Sequence, residues 1–129
     1  MINRIELEGR LGQEPEIRFT HAGQKVATLN IANTRHYKQG ENWKTETMWI
    51  KCQLWGRLAD KAGNLQKGDH VLVIGRLQKE EWETQHGKRH TYSIVAEDLR
   101  TVDFVRKVEE IAKDMPENDY PDDVSDVPF

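Results

Sequence analysis

The first hundred residues predict an all-β fold closed into a small barrel, and two observations carry that reading. Runs rich in β-branched and aromatic residues alternate with turn signals at short intervals. Within the runs, apolar residues recur at every second position, the period of a strand with one face buried. Arg4-Ile5-Glu6-Leu7-Glu8 alternates in this way and bends at Gly9 and Gly12. Ile17-Arg18-Phe19 makes a short second piece. His21-Ala22-Gly23-Gln24 turns the chain into Val26 to Ala32, where Leu29 and Ile31 share a face. Gln39-Gly40-Glu41-Asn42 reads as a hairpin loop, and a long strand follows from Thr45 to Trp55.

Between Arg57 and Gln66 the period changes. Leu58, Ala62 and Leu65 are spaced by four and three, which predicts a short helix. Lys67-Gly68-Asp69 returns the chain to a strand, Val71-Leu72-Val73-Ile74-Gly75, that continues through Leu77 towards Trp82. His86-Gly87 is the next hairpin tip, and Thr91 to Val95 is the fifth strand when the short Ile17–Phe19 piece is left uncounted. Five strands with one helix between the third and the fourth is the order of an OB-fold, a five-stranded Greek-key barrel. Beyond the barrel, Phe104, Val108, Ile111 and Met115 lie on one face of an amphipathic helix, with Asp103 as N-cap and Pro116 as its stop. The expected organisation is therefore a barrel over 1–102, a helix over 103–115 and a tail over 116–129.

The totals fit one domain with a modest core: 129 residues, 36% hydrophobic and 32% charged. The net charge of −3 conceals a division along the chain. Residues 1–102 carry 16 Lys and Arg against 13 Asp and Glu, whereas residues 116–129 carry five acids and no basic residue. A body facing a polyanion and a disordered acidic tail is the arrangement this implies. The tail ends Asp126-Val127-Pro128-Phe129: from composition alone, either a solubilising acidic tail that ends in Phe, or an apolar tip beside a terminal carboxylate suited to a basic-rimmed pocket on another protein. The single Cys52 excludes an intrachain disulfide framework and a multi-cysteine zinc site. No secretory leader opens the chain and no apolar run approaches the ~20 residues that span a bilayer. A cytoplasmic, nucleoid-associated protein without a membrane partner is expected.

The strand from Met48 to Trp55 is the most informative stretch. Its even positions, Met48, Ile50, Cys52 and Leu54, form an apolar face expected to point into the core. Its odd positions, Thr47, Trp49, Lys51, Gln53 and Trp55, then fall on the other side. Two tryptophans outside a core need a reason, because burying an indole is among the larger stabilising contributions available. One reason is a subunit or partner interface, where Trp is enriched. The other is a platform on which nucleic-acid bases stack, each base contributing ~1–3 kcal/mol whatever its identity. Trp82, Trp43 and Tyr37 add further exposed aromatics. Their interleaving with Arg35, Lys38, Lys44, Lys51 and Arg57 favours the platform.

These residues resemble those of bacterial single-stranded DNA-binding proteins. The likeness runs through Asn3-Arg4-Ile5-Glu6-Leu7-Glu8-Gly9-Arg10-Leu11-Gly12-Gln13-Glu14-Pro15-Glu16-Ile17-Arg18, then Trp49 with Leu54-Trp55-Gly56-Arg57-Leu58-Ala59. It continues in Lys67-Gly68-Asp69, Gly75-Arg76-Leu77 and Trp82, and closes at Asp126-Val127-Pro128-Phe129. The resemblance implies a homotetramer that wraps single-stranded DNA by stacking and phosphate contacts. Tyr37, Trp49, Trp55 and Trp82 would be its stacking aromatics, with Lys51 and Arg57 beside them; Arg35 and Lys44 join the expected DNA-binding set through the interleaving of cations and aromatics alone. The tip Asp126 to Phe129 would dock proteins of replication, recombination and repair. The chain departs from the family pattern in three places: Glu80 and Glu81 follow Lys79 where the family is usually basic, the long Gly/Pro/Gln-rich linker is missing, and the helix from Asp103 to Met115 is not a usual feature.

Other chemistries find little footing. Glu80/Glu81 and Glu109/Glu110 are adjacent in sequence, so each pair diverges rather than converges. His86 and His90 flank a hairpin tip with no cysteine or carboxylate cluster nearby, which argues against a metal. Cys52 falls on the core face as an inert thiol. No Gly-rich phosphate loop or nucleophile elbow occurs. The expectation is a non-enzyme without a cofactor. The alternative from another class is a primosome-type accessory protein or an OB-fold interaction module whose Trp face binds protein.

Overall fold

The computed structural model describes residues 1–102; the expected helix over 103–115 and the acidic tail lie outside the described residues. The elements run β1 (Ile5–Leu11), β2 (Glu16–Phe19), β3 (Lys25–Gln39), β4 (Asn42–Trp55), α1 (Arg57–Ala62), β5 (His70–Thr84) and β6 (Gly87–Thr101). The sheet order is β1-β5-β6-β4-β3-β2, and an additional β1–β3 pairing closes five of the strands into a barrel. The short β2 lies outside the closure and, among the described residues, pairs with β3 alone. Counting barrel strands alone, α1 sits between the third and the fourth, as the sequence predicts for an OB-fold.

Closure depends on few residues. β1 meets β3 at Arg10↔Ala32 and Leu11↔Ile31. β4 meets β6 in parallel at Cys52↔Ile94 and Gln53↔Val95. Two long antiparallel hairpins, β3–β4 and β5–β6, carry most of the ladder. Near the base of the second hairpin, the register shifts between Ile74 and Gly75. A Cβ at Gly75 would stand 2.1 Å from the carbonyl oxygen of Val95, so the two strands approach this closely only because the side chain is a hydrogen.

The core is filled by alternate residues of the barrel strands: Leu7 and Leu11, Leu29 and Ile31, Cys52 and Leu54, Val71 and Val73, and on β6 Ile94 and Ala96, with Leu99 following after the register shift changes the phase. Each large aliphatic side chain buried here contributes about 1.5–3 kcal/mol. α1 packs against β3, β4 and β6, burying Ala59 and Ala62, while Leu58 is only partly buried. The helix is shorter than the expected span to Gln66. Gly63 and Asn64 are poor helix formers, and the Gly63 N–H closes the last turn on the carbonyls of Ala59 and Asp60. Leu65 reaches the core from the turn that follows.

The β-strands also outrun the lengths read from the sequence. β3 extends to Gln39 and β4 begins at Asn42, so the hairpin projects past the barrel mouth. The expected inward face of β4 is corrected in consequence. Cys52 and Leu54 are fully buried and Ile50 is partly buried, but Met48 is 47% exposed. Period-two alternation buries a side chain only where another layer covers it, and at Met48 the ribbon has left β1 and β6 behind.

Candidate nucleic-acid interface

The outward positions of β4 form one continuous face. Trp49 is 61% exposed and Trp55 41%, and the partly buried Lys51 and Gln53 stand between them. Trp43 lies on the same side by the period of two, so three tryptophans follow one another at intervals of six residues, roughly 20 Å of strand each. Opposite them on β3 are Lys38, Ala32 and Val26, with Asn30 facing Lys51 and Thr28 facing Gln53. Most of these neighbours are small or polar, leaving the indoles uncovered.

Two clefts open on this face. A cleft of about 540 Å³ is walled by Trp49, Lys51, Asn30, Thr91, Tyr92 and Gly12, among others. A second, of about 300 Å³, runs along Trp55 and Gln53 to Val26, Arg18, Phe19 and Thr20. Glu80 of β5 engages one wall residue of each: one carboxylate oxygen accepts from Gln53 Nε2 of the second cleft at 2.8 Å, and the other lies 4.0 Å from Lys51 Nζ of the first. Glu81, the next residue, points away and pairs with Lys79 at 2.7 Å. That contact raises the Lys79 ammonium and lowers the Glu81 carboxyl relative to their ordinary ranges. Trp82 follows Glu80 by two residues and so shares its side of β5, with Arg89 opposite it on β6.

Trp55 is the last residue of β4, and Gly56 turns the chain directly into α1. Gly56 has φ +61°, a left-handed conformation that residues with a Cβ rarely adopt. Its N–H donates to the Lys25 carbonyl at 3.0 Å, which anchors the turn and holds Trp55 at the end of the sheet. Arg57, the first helical residue, is exposed beside it, and no carboxylate pairs with it among the described residues.

The expected residues therefore separate into two groups. Trp49, Lys51, Trp55, Arg57 and Trp82 gather on or beside the outward face of β4. Arg35, Tyr37 and Lys44 do not join them. The register Tyr37↔Lys44 and Arg35↔Glu46 places these three on the opposite side of the projecting ribbon. There Arg35 bonds Glu46 at 2.9 Å and lies over the Tyr37 ring at 4.9 Å. Arg18, Asn30, Thr91 and Arg89 border the clefts or Trp82 and lie outside the expected set. Arg18 reaches the Trp55 cleft through the pairings Arg18↔Val26 and Val26↔Trp55. Trp82↔Arg89 likewise depends on pairing across a hairpin. A strand's own pattern of residues does not contain these relations.

On the inner side of the same strand, Cys52 is fully buried and burial pushes its thiol up to about 12. No group of three or more His, Cys, Asp or Glu side chains is placed to hold a metal ion among the described residues. No helix of the described residues is long and apolar enough to cross a membrane.

Comparison with known proteins places this geometry in a lineage. Over 102 residues the chain is 40% identical to single-stranded DNA-binding protein 3 of Listeria innocua, covering 78% of this chain and 63% of that protein. It is 39% identical over 104 residues to single-stranded DNA-binding protein 2 of the same organism, covering 78% of this chain and 64% of that protein. The chain thus spans just under two thirds of the length of these curated relatives. Among solved structures, it is similar to the Plasmodium falciparum SSB in complex with ssDNA, with TM-score 0.73 and 29% identity over 80% of this chain and 96% of that one. It is also similar to a deletion mutant of the single-stranded DNA-binding protein from Thermus aquaticus, with TM-score 0.69 and 27% identity over 78% of this chain and 50% of that one. The model of the single-strand binding protein family matches residues 2–104, the whole of the barrel with its aromatic face, and the chain belongs to that family.

Proposed function

We propose that this protein binds single-stranded DNA with little regard to sequence and protects it during replication, recombination and repair. One observation carries the reading: Trp49 and Trp55 stand outside the core on one face of β4, with Lys51 between them and Arg57 beside them. Cations on this face draw in the phosphate backbone and release its counterions, which makes affinity fall as salt rises. The indoles then stack unpaired bases. Duplex is rejected because its bases are already stacked on one another. The names of the relatives, and the DNA in the Plasmodium complex, support the same ligand.

The finer parts of the proposal rest on the sequence. Residues 1–102 are the DNA-binding domain, four copies assemble into a homotetramer, and Asp126, Val127, Pro128 and Phe129 dock partner proteins. A cytoplasmic, nucleoid-associated location follows from that role. Titration with unlabelled oligo-dT, read by tryptophan fluorescence, tests the central claim. Strong quenching that weakens with added salt is expected; unchanged emission at low salt overturns it.

A further inference from the structure

A carboxylate stands in the middle of the aromatic face, and stacking with phosphate attraction gives it no task. Glu80 repels phosphate, yet it is not a loosely solvated side chain. Its side chain is only 23% exposed, Gln53 Nε2 holds one oxygen at 2.8 Å, and Lys51 Nζ stands 4.0 Å from the other. Lys51 walls the cleft beside Trp49 and Gln53 the cleft beside Trp55, so Glu80 is held by a residue of each. On β4 these two residues stand between the indoles, so the polar groups next to a base stacked on either one are those that Glu80 engages.

We propose that Glu80, oriented by Gln53, biases the face towards bases with an exocyclic amino group, cytosine above uracil or thymine. The inference rests on the single-stranded DNA reading of the same face. An ionised carboxylate only accepts hydrogen bonds. The N4 amino group of cytosine donates one, a pairing that carboxylate side chains make with that base. Uracil and thymine place a carbonyl oxygen at the same position, so two acceptors confront each other there. Gln53 completes the match: with one amide hydrogen given to Glu80, its second can donate to the cytosine N3 acceptor, whereas uracil and thymine carry a hydrogen on N3. Stacking supplies most of the affinity and ignores base identity; this pair adds a preference to it.

The test uses the full chain with oligo-dC and oligo-dU of equal length, which differ in the groups at the 4 and 3 positions of the base. Affinities are read by tryptophan quenching for the wild type, Glu80→Gln and Gln53→Ala. Glu80→Gln keeps the shape of the side chain and removes its charge. It should raise the affinity for oligo-dU about fivefold more than that for oligo-dC, the lower end of the range for a base-edge contact. Gln53→Ala leaves net charge unchanged, so a fall in its dC-to-dU affinity ratio reports hydrogen bonding to the base edge, by Gln53 itself and by the Glu80 it orients, rather than the field of Glu80. Equal changes for both oligonucleotides in both variants would show that Glu80 acts through charge alone and overturn the proposal. If neither oligonucleotide quenches the wild type, the single-stranded DNA reading itself has failed.

Discussion

Gly12 lies directly beneath the indole of Trp49: a Cβ built on this glycine would stand 2.3 Å from Cζ3 and 2.7 Å from Cη2 of the ring. The Gly12 N–H also donates to the Asn30 carbonyl at 3.0 Å, which ties the end of β1 to β3 below the ring. The orientation of the central tryptophan is therefore set by the absence of a side chain on a neighbouring loop. Gly12→Ala should tilt Trp49 away, weaken oligo-dT binding by up to the ~1–3 kcal/mol of one stacked base, and leave the melting temperature nearly unchanged. Wild-type affinity in that variant would remove the glycine from this role.

Trp55→Ala should cost ~1–3 kcal/mol of binding free energy if the indole holds one base. Tyr37→Ala is the informative control, because Tyr37 lies on the other side of the β3–β4 ribbon. Quenching titrations of both variants at one salt concentration should show a loss for Trp55 and a much smaller one for Tyr37. Comparable losses would mean that DNA engages both sides of the ribbon.

Arg57→Ala should flatten the plot of log affinity against log salt by about 0.7, the value for one phosphate contact on a single strand. Lys51→Ala should flatten it less, because Glu80 already faces that ammonium at 4.0 Å. Equal slope changes for the two would show that the ion pair opens fully when DNA binds.

Cys52 supplies a prediction about pH. Its thiol is held near 12 in the folded protein against 9.0 when unperturbed, because burial disfavours the thiolate. The folded pKa exceeds the unfolded one, so this contribution to stability is fully present below pH 9 and is lost as pH rises from about 9 towards 12. Denaturant unfolding of wild type and Cys52→Ser at pH 8 and pH 10 should show a steeper decline for the wild type. A thiol reagent at pH 8 should modify Cys52 only after unfolding. Rapid labelling of the native protein would contradict the buried position.

Gly75→Ala should destabilise the barrel by several kcal/mol, because the added methyl meets the Val95 carbonyl where β5 and β6 change register. A thermal melt gives the answer directly, and an unchanged transition would show that the hairpin can open at that point.

The barrel was legible because its strands obey simple alternation. Cys52 and Leu54 inside, with Trp49 and Trp55 outside, follow from the period of two alone. The exposed Met48 did not follow, because alternation reports which side of a strand is apolar and says nothing about where the covering layer ends. Tyr37, Arg35 and Lys44 were grouped with Trp49 for a related reason: their side is fixed by the pairing Ala32↔Trp49 and Tyr37↔Lys44, a relation between two strands. The bridge from Glu80 to Gln53 spans 27 positions of sequence and becomes visible only once the barrel has closed.

One consequence concerns how such a chain can change. β4 supplies the core from one side and the tryptophans from the other, so the two functions are locked in phase. Deleting or inserting one residue between Trp49 and Trp55 would send an indole inward and expose Leu54 or Cys52, losing fold and face together. Length changes there are tolerable only in pairs. Beyond Asn33 and Met48 the projecting ribbon adds nothing to the core of the described residues and carries no such lock. Its tip is where insertions and deletions can accumulate, lengthening or shortening the reach of Trp43 while the barrel stays the same.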